Sequence, residues 1–166
     1  MKLVEKLEKT ILILKYSVSF SISKELIMRR VFIIRKDLHL TPGKLAAMVA
    51  HCAEAYWTMW IREHIDEYYF VKGNINKDIF DNYINDRFIK TICEAKNLTQ
   101  LKKAELIAID LGLEKGKDFG YIDDACLTEL TPENEDGTCT VGIWFKPLDD
   151  NTAHQISKKY QLYKGE

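Results

Sequence analysis

Arg35-Lys-Asp-Leu-His-Leu-Thr-Pro-Gly-Lys44-Leu-Ala-Ala-Met-Val-Ala-His51 reads as a strand end, a turn and a helix start. Just before it, Val31-Phe-Ile-Ile34 is an unbroken β-branched and aromatic run bounded by charges, the length of a buried strand. A strand should therefore end near Lys36. Thr41 can cap a helix through its hydroxyl, and Pro42 suits the first helical position because its missing N–H would be unpaired there anyway. The helix should start at Pro42. Gly43 opens the backbone to close approach, and Lys44 puts a cation in the first turn, where it opposes the helix dipole unless an anion is near. First-turn amides with one lysine make a site for a phosphate or a carboxylate. The competing reading is a solvated lysine, since Gly-Lys alone is a weak motif.

Working outward, residues 42 to 62 are apolar nearly all round, which predicts a helix buried on most sides. Lys44, His51 and Thr58 recur every seven positions and so share one side of that helix, facing a cleft, unless His51 is a core histidine bonded to backbone. Residues 62 to 87 hold Tyr68, Tyr69, Phe70, Phe80 and Tyr83 without a period and predict a short helix between loops, a packed surface excursion. Phe88 to Cys93 predicts a strand, and Thr99 a cap for a helix from Gln100 to about Leu111, ended by Gly112. Phe119 to Ile122 and Thr140 to Phe145 predict two more strands, and Asp149 to Tyr160 a closing helix. Strands alternating with helices give an α/β fold with helices on both sheet faces.

Towards the N-terminus, residues 1 to 27 form a broken apolar series beside Lys2, Lys6, Lys9 and Lys15, interrupted too early for a secretory signal. We read them as a leader, with Met28 as the natural start, or as a poorly ordered N-terminal extension, and residues 28 to 166 as a single domain. Mass spectrometry of a native product beginning at Met1 would remove that reading.

The 166 residues suit one domain with a real core. With 24 basic and 25 acidic residues, the net charge of −1 excludes a global field for nucleic acid and leaves only a local patch. The four cysteines and four histidines are scattered without metal-ligand or disulfide-framework spacing, so reduced thiols in the cytoplasm and no metal or cofactor are expected.

Arg35-Lys-Asp-Leu, Gly43-Lys-Leu-Ala-Ala with Val49-Ala-His51, Asp124-Ala with Thr128-Glu-Leu, and Gly137-Thr-Cys-Thr-Val stand in the order found in the archaeal-type (class II) peptidyl-tRNA hydrolases, which this chain resembles from about Val31 to Tyr163. The resemblance implies a three-layer α/β/α sandwich around a small mixed β-sheet. It implies hydrolysis of the ester of peptidyl-tRNA, freeing peptide and tRNA, with Lys44, Asp124, Thr128 and Thr140 as catalytic residues. Arg35, Lys36, Gly43, His51 and Thr138 would bind substrate. Peptidyl-tRNA is the partner so implied, with no membrane, and homodimers are common in that family.

The chemistry suits these residue types, since ester hydrolysis needs a positioned water, a proton acceptor and donors for the developing oxyanion. Asp124 would orient or deprotonate water, Lys44 and the first-turn amides would hold a phosphate or the oxyanion, and the two threonine hydroxyls would fix the water. This chain departs from the family pattern in having Asp123 for an arginine, and Cys126 and Leu127 for glycine and arginine. Adjacent Asp123 and Asp124 in one pocket would raise one carboxylate's pKa. Arg29, Arg30, Arg35, Lys36 and Lys44 would offer a compensating patch if they shared a side. A Cys126 nucleophile is disfavoured by the two aspartates beside it. A noncatalytic RNA- or protein-binding module on the same fold is the alternative.

Overall fold

The computed structural model describes residues 26–164. The leader assigned to residues 1 to 27 thus lies, but for its last two residues, outside the described residues.

Strand β1 (Met28–Arg35) is the centre of the molecule, with every side chain but Arg29 buried. The apolar run that announced it has helices on both faces, so its side chains find core in either direction. Helix α1 (Pro42–His64) follows, then a short helix α2 (Lys77–Ile79) that runs into a π-helical turn at Phe80–Ile84. After these come β2 (Ile89–Ala95), α3 (Leu98–Asp110), β3 (Phe119–Asp124), β4 (Cys139–Phe145), β5 (Leu148–Asp149), α4 (Asp150–Ser157) and β6 (Gln161–Leu162). The sheet runs in the order β3-β4-β1-β2-β6, with β5 against the start of β1. Only β1 and β2 are parallel, so the sheet is mixed.

Two cores flank it. One face packs Val31, Ile33, Phe119, Ile143 and Phe145 against Leu101, Ala104 and Ala108 of α3 and Ile156 of α4. The other packs Phe32, Ile34, Val141 and Trp144 against Met48 and Cys52 of α1. Among the described residues no helix is long and apolar enough to cross a membrane, and no group of three His, Cys, Asp or Glu could hold a metal ion.

Three local expectations need correction. Only Met48 and Cys52 of α1 are fully buried, so that helix lies on one face of the sheet with a single packed side. Its alanines misled because they are apolar without demanding burial. Helix α3 starts earlier than expected because Asn97, not Thr99, is its cap, its side chain accepting from the Gln100 N–H at 3.0 Å. The closing helix is capped by Asp149 and ends at Ser157, short of Tyr160.

Arg30 is the largest fully buried side chain. Its guanidinium donates to the carbonyls of Phe145, Ala53 and Cys52, tying α1 to the sheet, and lies 4.9 Å from the Phe32 ring centre. These acceptors are all neutral, and burial lowers its pKa.

Candidate active site

The site is built where α1 begins. Thr41 caps the helix, its Oγ1 accepting from the Lys44 N–H at 3.4 Å, and Pro42 occupies the first helical position. The Leu45 N–H reaches the Thr41 carbonyl at 2.9 Å. The Lys44 amide is thereby used, so the first-turn amides do not form the open cradle the sequence suggested. The Gly43 backbone does face open space, since a Cβ there would meet nothing within 4 Å.

The Lys44 side chain crosses to the end of β3. Its Nζ lies 2.6 Å from Asp124 Oδ2 and donates to Thr128 Oγ1 at 3.3 Å. Thr41 also holds this loop, its hydroxyl donating to Glu129 Oε1 at 3.0 Å. Asp124 is 8% exposed, and its other oxygen accepts the Cys126 N–H at 2.9 Å. Burial pushes the Asp124 carboxyl up. The hydrogen bond from Lys44, that from the Cys126 amide, and the Lys44 and His51 charges outweigh burial and hold it below the ordinary carboxylate value.

The adjacent-aspartate repulsion expected from the sequence is therefore not what governs Asp124. Successive strand residues point apart, and exposed Asp123 instead accepts the Thr140 hydroxyl at 2.5 Å. Because the folded-state pKa of Asp124 is lowered, its ion pair contributes fully above the unfolded carboxylate range and is lost as pH falls through the lowered value. Carbon-13 titration should give Asp124 a midpoint below the ordinary 3.8, and Lys44→Met should move that midpoint upward.

Thr140 lies beside this cluster, because β3 and β4 pair Asp123 with Thr140 and Asp124 with Cys139 across a bulge after Ile122. Its hydroxyl also accepts from Asn134 at 3.3 Å, and Asn134 donates to Thr138 at 2.9 Å. Thus Lys44, Asp124 and Thr128 meet directly, while Thr140 and Thr138 belong to a neighbouring network. His51 is exposed rather than a core histidine, and with Thr58 it lines a groove of about 490 Å³ running beside Asp123.

The basic residues do not make a common patch. Arg35 is 3% exposed; its guanidinium holds Glu133, Asp37 and the Thr140 carbonyl, bracing the β4 side of the site. Lys36 pairs with Glu94, and Arg29 with Asp150. The bracing acids Glu129 and Glu133 and the linking Asn134 were not expected. Separations of 88 and 98 residues leave no local signal for the first two contacts.

Cys126 adopts φ +55, a left-handed conformation that costs an L-residue about 1–2 kcal/mol. Burial and the Asp124 charge both raise its pKa, which agrees with a thiol that is not a nucleophile. Cys126→Gly should raise stability by about 0.5–1 kcal/mol, the strain relieved less the added freedom of the unfolded chain. Cys126→Ala, which keeps Cβ, should show no such gain in urea unfolding.

A family model described as peptidyl-tRNA hydrolase PTH2 matches residues 28–163. The chain belongs to that family. It is also similar to a peptidyl-tRNA hydrolase of Thermoplasma acidophilum, 28% identical over 139 residues that cover 82% of this chain and 99% of that protein. The PTH2 match begins at the first residue of β1 and ends just past β6, so it takes in every strand and both sides of the site.

Proposed function

We propose that this PTH2 member hydrolyses the ester bond of peptidyl-tRNA, releasing free tRNA and peptide, in the cytoplasm where that substrate arises. The observation that carries the reading is the contact of Lys44 with both Asp124 and Thr128 at the mouth of the sheet. Water attacks the ester carbonyl carbon, the bond from that carbon to the ribose oxygen breaks, and the proton lost by water ends on the departing ribose oxygen, leaving the peptide as its carboxylate and the tRNA with a free hydroxyl. Lys44 supplies the positive charge that the developing oxyanion needs in a partly dry site. Asp124, held below the ordinary carboxylate range, is a poor proton store at neutral pH, so its part is to fix Lys44 and orient water. The Thr128 hydroxyl, already accepting from Lys44, has its own proton free to direct towards that water.

Arg35 and Thr140, in this reading, brace the wall of the site. A homodimer is part of the reading by family likeness, and exposed Tyr68, Tyr69 and Phe70 give it an apolar face. Sedimentation at micromolar concentration tests it.

One observation favours a noncatalytic module instead. Arg29, Arg35 and Lys36 are paired with acids and Arg30 is buried, so the basic residues of and just after β1 are not free to hold tRNA phosphates. Release of free tRNA from a defined peptidyl-tRNA decides between the two. Turnover by folded wild type supports the hydrolase; none at any salt concentration, with tRNA binding insensitive to salt, supports the module.

A further inference from the structure

Strand β3 is the outermost strand on its side of the sheet and pairs only with β4 among the named strands. Two hydrogen bonds fix which of its main-chain groups face outward. The Asp118 carbonyl accepts from Lys146 on the β4 side, whereas the Phe119 carbonyl accepts from Gly116 on the other side. Alternation along the strand then turns the N–H and C=O of Tyr121 outward. Among the described residues no backbone group pairs with them.

The Tyr121 side chain is occupied elsewhere. Its hydroxyl donates to Glu105 of α3 at 2.5 Å, and its ring lies 4.6 Å from Lys115 Nζ. Yet Tyr121 lines the groove of about 490 Å³ that α1 borders with His51, Ala55, Thr58 and Arg62. With the side chain engaged by Glu105 and Lys115, the outward-turned main chain of Tyr121 is the part of the residue left to serve the groove. The groove reaches Asp123, the residue before Asp124 at the end of β3.

We propose that this edge takes the peptide half of the substrate as an added strand, with the Tyr121 main chain gripping one of its amides. The inference rests on the ester-hydrolase reading for where the peptide's C-terminal carbonyl lies. At about 3.3 Å per residue, Tyr121 is about 10 Å along β3 from Asp124, so it meets an amide two or three residues before the ester. Main-chain pairing reads no side chain, so it selects for being a peptide rather than for a sequence. A free aminoacyl ester has no such amide and is rejected for that reason.

The test uses the full chain and an uncleavable probe, 3′-amino-3′-deoxyadenosine carrying an N-acetyl tetra-alanyl group through an amide bond. Its binding should shift the Tyr121 amide resonance and slow its exchange with solvent. N-methylating the probe's amides one at a time should weaken binding tenfold or more at the position paired with Tyr121. Binding should change less than twofold at the next amide, whose N–H points away. Equal tolerance at all positions, or binding that leaves the Tyr121 amide unchanged, overturns the proposal. So does the same Tyr121 shift from the nucleoside without peptide, which would make the groove an RNA site, and so does absence of binding. If the probe pairs at Tyr121 but peptidyl-tRNA is not hydrolysed, the edge inference stands and the hydrolase reading falls.

Discussion

Replacing Lys44 by methionine is expected to lower kcat for peptidyl-tRNA hydrolysis by about two to three orders of magnitude, the loss typical of removing one oxyanion stabiliser. Methionine keeps an unbranched stem of similar length, and neither the Thr41 cap nor Pro42 is touched, so α1 should still form. What disappears is the cation between Asp124 and Thr128. Asp124→Asn should cost a similar factor, because an amide cannot hold an ammonium 2.6 Å away as a carboxylate does. The two residues act as one unit, so the double variant should lose little more than either single one. Single-turnover tRNA release, with unfolding curves for each protein, checks this. Activity within threefold of wild type in either folded variant would remove that residue from the mechanism.

The largest expected effect on stability lies away from the site. Arg30→Ala should lower the unfolding free energy by about 3 kcal/mol, since it leaves a cavity and strips a charged donor from buried carbonyls. The Phe145 carbonyl is the most exposed to this loss, because the Cys52 and Ala53 carbonyls lie within α1 and keep helical donors available. Among the described residues no carboxylate is bonded to the guanidinium. Cys52 beneath it has its thiol pushed by burial up to about 12 and remains neutral. Desolvating Arg30 therefore offsets part of what its hydrogen bonds contribute, and Arg30→Met, which fills the space without the charge, should cost about half as much as alanine. Urea midpoints at constant slope measure both.

The sequence made the frame legible where one residue type had one job. Thr41 and Pro42 could only begin a helix well, and the run from Val31 to Ile34 could only be covered on both faces. Gly112, at φ +79, ends its helix as expected. Where several residues could do the same job, the choice was hidden. Asn97 and Thr99 are both cap-forming residue types, and the chain uses the one that lets Gln100 reach back to the Lys96 N–H. The site was legible as a list but not as a set of partners. Lys44 and Asp124 stood out by motif, yet nothing local showed that Asp123 would bond Thr140 or that Arg35 would be spent on Glu133. Those pairings depend on β3, β4 and β1 lying side by side, a tertiary fact.

The strand order also has a consequence for when the protein becomes competent. Strand β1 leads the described chain but sits between β2 and β4, and its antiparallel partner β4 closes only at Phe145. Lys44 emerges during synthesis about eighty residues before Asp124 and waits for the sheet that will bring them together. Long-range pairing of this kind is slow and late in folding. A growing copy accordingly has no assembled site while most of it is still being made, and under the proposed hydrolase reading its own attachment to tRNA is not exposed to its own chemistry.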